Sequence, residues 1–349
     1  MTLNRRDFLK LAAAEGATGA AAVTAVTVCA SGEVAAQDLR RDPRPMPDGA
    51  VGLLYDSTLC IGCRACQVAC KRANGMPAEE PERYEAWNGG TWDTPTDLSG
   101  DTLTVIQVYQ NGTMEVKDRE VDGYAFVKRQ CMHCTDASCV SVCPVSAMTK
   151  DAETGIVSHH PDRCIGCRYC VFACPFGVPR YEFDNPFGQI QKCQLCSNLP
   201  DQDIPACADV CPTGATLFGH VDVLEAEAQR RLAANPGDRY RFPRGTLMRA
   251  DNGGAPVTDR AGHEAPVAHY RDEIYGEEIL GSTQCRMLAG VPFDLLGLPE
   301  DVPTTSYASI TEGIQHTLYR YMVAPMLLLG GLVVFAYRSS RRHRPEDWD

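Results

Sequence analysis

The sequence lacks an excess of basic residues. Its 349 residues contain 33 lysines and arginines against 45 aspartates and glutamates, a formal net charge of −12 at pH 7. Nucleic-acid binding needs a net supply of cations for the phosphates, so no nucleic-acid partner is expected. Long apolar runs are also scarce. With 44% hydrophobic and 22% charged residues, the chain is neither a disordered tail nor a polytopic membrane protein.

Motifs of bond-making and bond-breaking chemistry are missing as well. The chain has no phosphate-binding glycine loop, no HExxH motif and no defensible Ser/His/Asp arrangement. We therefore expect a protein that is not an enzyme on its own.

Cysteine is concentrated in one part of the chain. Sixteen of the 18 cysteines lie between Cys60 and Cys211, and only Cys29 and Cys285 lie outside that stretch. The sixteen form four quartets, and the first and third share the spacing C-x2-C-x2-C-x3-C. The quartets are Cys60, Cys63, Cys66 and Cys70; Cys131, Cys134, Cys139 and Cys143; Cys164, Cys167, Cys170 and Cys174; and Cys193, Cys196, Cys207 and Cys211.

The shared spacing is typical of 4Fe-4S ligation. Three thiolates two residues apart on a tight loop can occupy three corners of one cluster, while the fourth cysteine turns away and reaches a neighbouring cluster. Gly62 and Gly166 lack a Cβ, so backbone amides can approach the cluster sulfurs there. Proline follows the last cysteine of every quartet except the first, where Lys71 stands. We expect this difference to leave ligation intact.

Two other interpretations of the cysteines remain. A disulfide framework suits an exported protein, and the second and fourth quartets could each hold zinc through paired cysteines. Cysteines two residues apart in one loop rarely have the geometry to bridge each other, however. Neither alternative explains why C-x2-C-x2-C-x3-C occurs twice. Four 4Fe-4S clusters are the predicted cofactors.

The N-terminus resembles a twin-arginine export signal. Arg5 and Arg6 precede Phe-Leu-Lys and an Ala-rich stretch, which is less apolar than a general secretory signal favours. Residues 1–36 are predicted to be removed by cleavage after Ala36, and Cys29 with them. The twin-arginine route carries folded proteins, which suits clusters that are inserted before export.

Near the C-terminus, residues 321–337 carry no charge and reach the lower length limit of a membrane-spanning helix. Arginines follow at once, so the positive-inside rule places the C-terminus in the cytoplasm. We predict a transmembrane helix over 316–338, a cytoplasmic tail over 339–349, and the cysteine-rich region on the periplasmic side. The alternative, a buried core helix, rarely ends in a run of arginines.

The remaining pattern predicts an α+β fold. Residues 50–220 are expected to form a four-cluster ferredoxin-like domain, with two pseudo-symmetric double-cluster modules built of short hairpins and helices. Asn111-Gly112 predicts an inserted hairpin, and a second hairpin is expected over 148–157. Asp222 is the predicted N-cap of a helix. Residues 221–311 are otherwise predicted to be an irregular extension, and the sequence assigns no fold to residues 236–311.

These features resemble a known family, the four-cluster ferredoxin-type electron-transfer subunits of membrane oxidoreductases. The likeness covers nearly the whole chain, including the signal, residues 52–60, 130–188 and 314–319. The quartets are specific only to that superfamily. The last of these runs, with its single anchor helix, points to the iron-sulfur subunits of periplasmic, membrane-bound nickel-iron uptake hydrogenases.

The resemblance implies a function, partners and a sharing of ligands. Electrons would pass from the hydrogenase small and large subunits, through this chain, to an integral membrane quinone-reducing subunit. The first quartet pairs with the fourth and the second with the third. The implied ligand sets are Cys60, Cys63, Cys66 and Cys211; Cys193, Cys196, Cys207 and Cys70; Cys131, Cys134, Cys139 and Cys174; and Cys164, Cys167, Cys170 and Cys143.

Two competing functions stay open. The first is the iron-sulfur subunit of a molybdopterin oxidoreductase, such as formate dehydrogenase or a polysulfide or DMSO-type reductase. The second, of another class, is a disulfide-linked or zinc-binding structural module of the envelope.

Four further residues are weaker candidates. His133 is expected beside a cluster or at the surface, not as a ligand. His316 and Arg320 lie near the expected outer membrane interface, where packing or snorkelling is favoured over contact with a quinone. Cys285 is expected to be a buried thiol.

Overall fold

A computed structural model of the protein describes residues 40–78, 95–183, 185, 187–250 and 254–342. The predicted signal, with Cys29 and the cleavage site after Ala36, lies outside the described residues, as do residues 343–349 of the predicted tail.

The fold mixes helices and strands. The α-helices are α1 (Ala65–Ala73), α2 (Ser138–Ser141), α3 (Tyr169–Ala173), α4 (Ala206–Asp209), α5 (Val221–Ala233) and α6 (Tyr307–Arg342). The strands are β1 (Val51–Asp56), β2 (Val105–Gln110), β3 (Val116–Lys117), β4 (Gly123–Arg129), β5 (Met148–Lys150), β6 (Val157–His159), β7 (Arg180–Tyr181), β8 (Ile190–Gln191), β9 (Thr216–His220), β10 (Arg239–Leu247), β11 (Arg260–Pro266) and β12 (Cys285–Leu288).

The largest sheet has the strand order β11-β10-β9-β1-β12. Within it, β1 runs antiparallel to β9 and parallel to β12. Every residue of β1 is buried, because both faces of the strand are covered. Leu53 and Tyr55 pack on one face in the core that holds many of the cysteines. Leu54 packs on the other face with Leu224 of α5.

The segment from residue 221 onward is more regular than the sequence predicts. Helix α5 begins at Val221 after the cap residue His220, so Asp222 lies in the first turn and is not the N-cap. The strands β10, β11 and β12 then extend the sheet of β1. Residues 221–311 are therefore not an irregular extension. Their strands form by pairing with residues that are distant in sequence, such as Cys285 with Leu53. Local sequence patterns cannot predict pairing of this kind.

The predicted hairpin at Asn111-Gly112 is also wrong. The strands on either side of it, β2 and β3, do not pair with each other, because β4 lies between them in the order β2-β4-β3. The β4 residues Ala125, Phe126 and Val127 are buried. They suit the central position of this sheet, where β4 has a neighbouring strand on each side. The second predicted hairpin is confirmed, since β5 and β6 pair antiparallel.

Helix α6 is long and apolar enough to span a membrane, with a mean hydropathy of 1.7 in its apolar part. It contains the predicted span 316–338 and includes Pro325. At its start, the Ser306 hydroxyl accepts a hydrogen bond from the Ser309 amide at 2.9 Å and donates one to buried Asp136 at 2.6 Å. Residues 42–309 form one compact unit, and the helix from residue 310 belongs to a second unit with residues 40–41.

Candidate metal centres

The loops of the first and third quartets have the same backbone conformation. Gly62 and Gly166 both have φ of +68°, in the left-handed region that favours glycine. Arg64 and Arg168, which precede α1 and α3, are also left-handed, with φ of 56° and 64° and ψ of 11° in both. The repeated spacing in the sequence thus folds into a repeated tight loop.

Three cavities are each lined by four cysteines, three from one quartet and one from another. We call these cavities site 1, site 2 and site 4. The lining cysteines are Cys60, Cys63, Cys66 and Cys211 at site 1; Cys70, Cys193, Cys196 and Cys207 at site 2; and Cys143, Cys164, Cys167 and Cys170 at site 4.

The four remaining quartet cysteines also lie together, and we call this group site 3: Cys131, Cys134, Cys139 and Cys174. Burial raises the pKa of Cys134, and the neighbouring Cys174, Cys139 and Cys131 raise it further. Burial likewise raises the pKa of Cys139, with contributions from Cys131 and Cys174. These mutual effects indicate that the four thiols lie near one another.

Two contacts between helices explain why each site contains cysteines from two quartets. Helix α1 packs against α4, and α2 packs against α3. The first contact joins the first quartet to the fourth, and the second joins the second quartet to the third. The last cysteine of each quartet therefore faces the loop of its partner quartet.

The arrangement fits a polynuclear cluster better than a single ion. A zinc site needs ligands at about 2.0–2.3 Å from one metal. In the described part of the chain, no three His, Cys, Asp or Glu side chains are close enough to hold one metal ion. The quartet cysteines are free thiols spread around cavities, which suits the four corners of a 4Fe-4S cluster.

Backbone amides point at several of the sulfurs. The Cys143 sulfur accepts hydrogen bonds from the amides of Ala147 at 3.2 Å and Met148 at 3.5 Å. The Leu195 amide donates to the Cys193 sulfur at 3.4 Å. Such bonds favour the thiolate, which is the form that binds metal.

Burial opposes the thiolate where no metal is bound. It raises the pKa of Cys70 to about 12 and that of Cys170 to about 11. These thiols would be protonated at neutral pH in the metal-free chain. Metal coordination deprotonates a thiol outright, so the sites are built for sulfur atoms that a metal holds ionised.

Buried lysines near the sites are the feature that sequence reasoning missed. Lys128, Lys150 and Lys192 are all largely buried. The Lys150 ammonium donates to the Cys134 carbonyl at 3.2 Å, and that of Lys192 donates to the Cys193 carbonyl at 2.7 Å. The alternation of β4 carried a usable signal, because Lys128 shares a strand face with Phe126.

The weaker candidates have different outcomes. His133 is fully buried, so it is not a surface residue, and its Nδ1 accepts a hydrogen bond from the Val157 amide at 3.0 Å. Burial lowers the pKa of His133. Cys285 is confirmed as a buried thiol, and its sulfur donates to the Cys131 carbonyl at 3.3 Å. His316 and Arg320 are exposed on α6, which does not test a role at a quinone.

Comparison with known proteins agrees with this geometry. Residues 123–221 match the family model described as a 4Fe-4S dicluster domain. The cysteine-lined sites and this match define a ferredoxin-type iron-sulfur protein.

Within that class, relatives identify the family. The chain is 42% identical to "Hydrogenase-2 operon protein HybA" of Escherichia coli O157:H7, over 99% of both chains. It is 35% identical to "Protein NrfC" of Escherichia coli K12 over 70% of this chain and 93% of that protein. Similarity to the "Formate dehydrogenase-O iron-sulfur subunit" of Escherichia coli K12 is 38% identity over 52% of this chain and 57% of that protein. The chain belongs to the HybA family.

Proposed function

We propose that this chain is the electron-transfer subunit of a membrane-bound nickel-iron hydrogenase, with four 4Fe-4S clusters and no catalytic centre of its own. The observation that carries the proposal is the grouping of sixteen cysteines into four sets of four. Each set takes three cysteines from one quartet and the fourth from its partner. When bound, a 4Fe-4S cluster accepts and passes on single electrons.

Sites 1 to 4 are the proposed ligand sets, and the helices keep neighbouring sites close. Cys66 of site 1 and Cys70 of site 2 are four residues apart on α1, about one helical turn of 5.4 Å. Cys170 of site 4 and Cys174 of site 3 are equally spaced at α3. Sites 1 and 2 would thus form one module and sites 3 and 4 a second, pseudo-symmetric one.

The two modules meet between sites 2 and 3. Cys131 of site 3 is close enough to Cys193 of site 2 to contribute to the raised pKa of that thiol, of which burial is the largest cause. The sites would therefore follow one another in the order 1, 2, 3, 4. This order supports an electron relay through the protein. The core around site 2, where all four cysteines are buried, would hold its ligands in fixed positions.

The two ends of the chain supply the proposed location. Residues 1–36 would direct export, and α6 would anchor the protein in the membrane with its C-terminus in the cytoplasm. The relay would then lie on the periplasmic side. Its partners would be the hydrogenase small and large subunits and an integral membrane quinone-reducing subunit. The full-length similarity to a hydrogenase-2 operon protein supports these partners.

A formate dehydrogenase partner is the second candidate. The relative of that name matches only about half of this chain, whereas the hydrogenase relative matches 99% of it. Full-length similarity therefore favours the hydrogenase.

Deletion of the chain in its native host separates these candidates. Membranes of the deletion strain should lose hydrogen-dependent quinone reduction and keep formate-dependent quinone reduction, and the full-length chain supplied in trans should restore the loss. Loss of the formate-dependent activity alone would transfer the chain to a formate dehydrogenase. Unchanged activity with both donors would refute the electron-transfer role.

A further inference from the structure

Lys128 is a buried cation without a carboxylate partner in the described residues. It lies on β4 with 0% of its surface exposed. Its ammonium makes one long hydrogen bond, to the Thr216 hydroxyl at 3.5 Å. Burying an ammonium group is costly unless an opposite charge balances it. An anion must therefore lie close to Lys128 in the functional protein.

The groups that face Lys128 are cysteines of two different sites. The Thr216 hydroxyl that accepts the hydrogen bond from Lys128 lines the cavity of site 1. Burial disfavours the charged ammonium, and Cys207 of site 2 favours it. Cys66 of site 1 and Cys193 of site 2 are near enough to favour its charged form. In return, Lys128 favours the thiolates of Cys66 and Cys196. Lys128 therefore lies between sites 1 and 2.

The other buried lysines are engaged differently, and Lys71 donates to the Asp101 carbonyl at 2.6 Å. Lys150 donates to the Gly155 carbonyl at 2.6 Å and to the Gln284 side-chain oxygen at 2.7 Å, besides the Cys134 carbonyl. Lys192 also donates to main-chain carbonyls. These contacts hold loops together through neutral acceptors. Among the described residues, Lys128 has one neutral acceptor, the Thr216 hydroxyl at 3.5 Å, which balances its charge less than the short contacts of Lys150 and Lys192 do.

We infer that Lys128 is the shared counter-charge of sites 1 and 2, and that its positive charge raises the reduction potentials of both clusters together. This inference rests on the proposed function. Reduction adds one electron to a site, and a nearby cation stabilises the more negative state. Net charge and burial are known determinants of cluster potential, and a buried charge is poorly screened. When one electron moves between the two sites, the donor is oxidised, the acceptor is reduced and no bond changes.

A shared cation has a specific consequence. Because the cation acts on both sites, its removal shifts both reduction potentials in the same direction. The difference between the two potentials, which drives electron transfer between sites 1 and 2, therefore changes little. Sites 3 and 4, in the other module, should shift little. A residue that served only to pack the core would shift neither site.

The test is a redox titration of the full-length holoprotein, followed by EPR, for the wild type and Lys128→Met. We expect two of the four clusters to show at least a tenfold smaller equilibrium constant for reduction, about 59 mV for a one-electron couple. Arg239→Gln is the control. It removes the same unit of charge from a side chain that is 82% exposed, and it should shift no cluster by a comparable amount.

If the Lys128→Met variant loses clusters, the variants Lys128→Arg and Lys128→Gln distinguish a requirement for charge from a role in packing. Retention of all clusters by the arginine variant, with loss in the glutamine and methionine variants, supports a requirement for charge. Equal loss in all three variants would assign Lys128 to packing and overturn the inference. So would unshifted potentials in an intact Lys128→Met protein. If the wild type itself held no iron, the proposed function would fail instead, which is a distinct result.

Discussion

The first and third quartets have the same cysteine spacing but different surroundings, and so do the sites to which they contribute. All four cysteines of site 2 are buried, in a core continuous with the five-stranded sheet. The core between sites 3 and 4 is small and lies beside two-stranded sheets. Phe172 in the third quartet is 87% exposed, whereas Val68 at the equivalent place in the first is 49% exposed. Spacing therefore determines which cysteines meet, and the surroundings determine their access and charge.

A buried ion network stabilises the strand that leads into site 1. Arg231 of α5 donates to Asp56 at 2.8 Å and to Glu227 at 2.9 Å, and all three side chains are buried. The Tyr270 hydroxyl also donates to Asp56, at 2.8 Å. This network ties β1 to α5, four residues before Cys60.

Among the substitutions considered, Arg231→Met should produce the largest difference in local stability between the surroundings of site 1 and those of sites 3 and 4. It leaves Asp56 buried without its cation and removes one of the two cations of Glu227, which we expect to cost about 3–5 kcal/mol of local stability. Hydrogen exchange of the holoprotein should show this loss in β1 and α5, with β5 and β6 unchanged.

Arg230→Met is the matched control for that variant. Arg230 bonds the same Glu227 at 2.7 Å, but its side chain is 51% exposed. We expect a loss below about 1 kcal/mol. Equal effects of the two substitutions, or equal loss of protection in β5 and β6, would contradict a network that serves the first module alone.

Gly62→Ala and Gly166→Ala should differ although the two glycines occupy the same motif position. Both have φ of +68°, so alanine is strained at each by about 1–2 kcal/mol. At Gly62 the new Cβ would also lie 2.4 Å from the Phe126 ring, whereas at Gly166 it would meet Tyr181 at 3.6 Å. Overpacking adds about 1–3 kcal/mol at Gly62.

The measurement for this pair is thermal loss of cluster absorbance in the full-length holoprotein. Gly62→Ala should lower the midpoint by several degrees more than Gly166→Ala. Equal midpoints would show that the surroundings of the first loop add nothing to the strain of its backbone.

Reagents in solution should reach the cysteines of the different sites at different rates, and this is the smallest of the expected effects. During removal of iron by a chelator, site 4 should open before site 2, because Cys167 of site 4 is exposed and Cys164 is partly exposed, whereas all four cysteines of site 2 are buried. Alkylation followed by mass spectrometry should label these two several-fold faster than Cys193 and Cys196 of site 2. Faster labelling of the site 2 cysteines would reverse the proposed order of protection.

Sequence alone predicts the local features of this molecule and misses the distant ones. The quartets of Cys60 and Cys164 are visible because ligand spacing is local. The pairing of β12 with β1 is not, because Leu53 and Cys285 are far apart in the chain. The turn signal at Asn111-Gly112 failed because β4 pairs with both flanking strands.

The cation between sites 1 and 2 was missed for a related reason. The net charge of −12 is a sum over the whole chain and says nothing about where a single lysine is buried. Only the fold brings Lys128 to Cys66 and Cys207, which lie far from it in sequence. The resemblance to a family supplied the pairing of the quartets but not the position of this lysine.

The most direct test of the central claim is the iron and acid-labile sulfide content of the full-length protein as isolated, with EPR of its reduced form. The account predicts about sixteen iron and sixteen sulfide per chain, and signals from four interacting 4Fe-4S clusters. A colourless protein without iron, with its quartet cysteines joined in disulfides or bound to zinc, would contradict it.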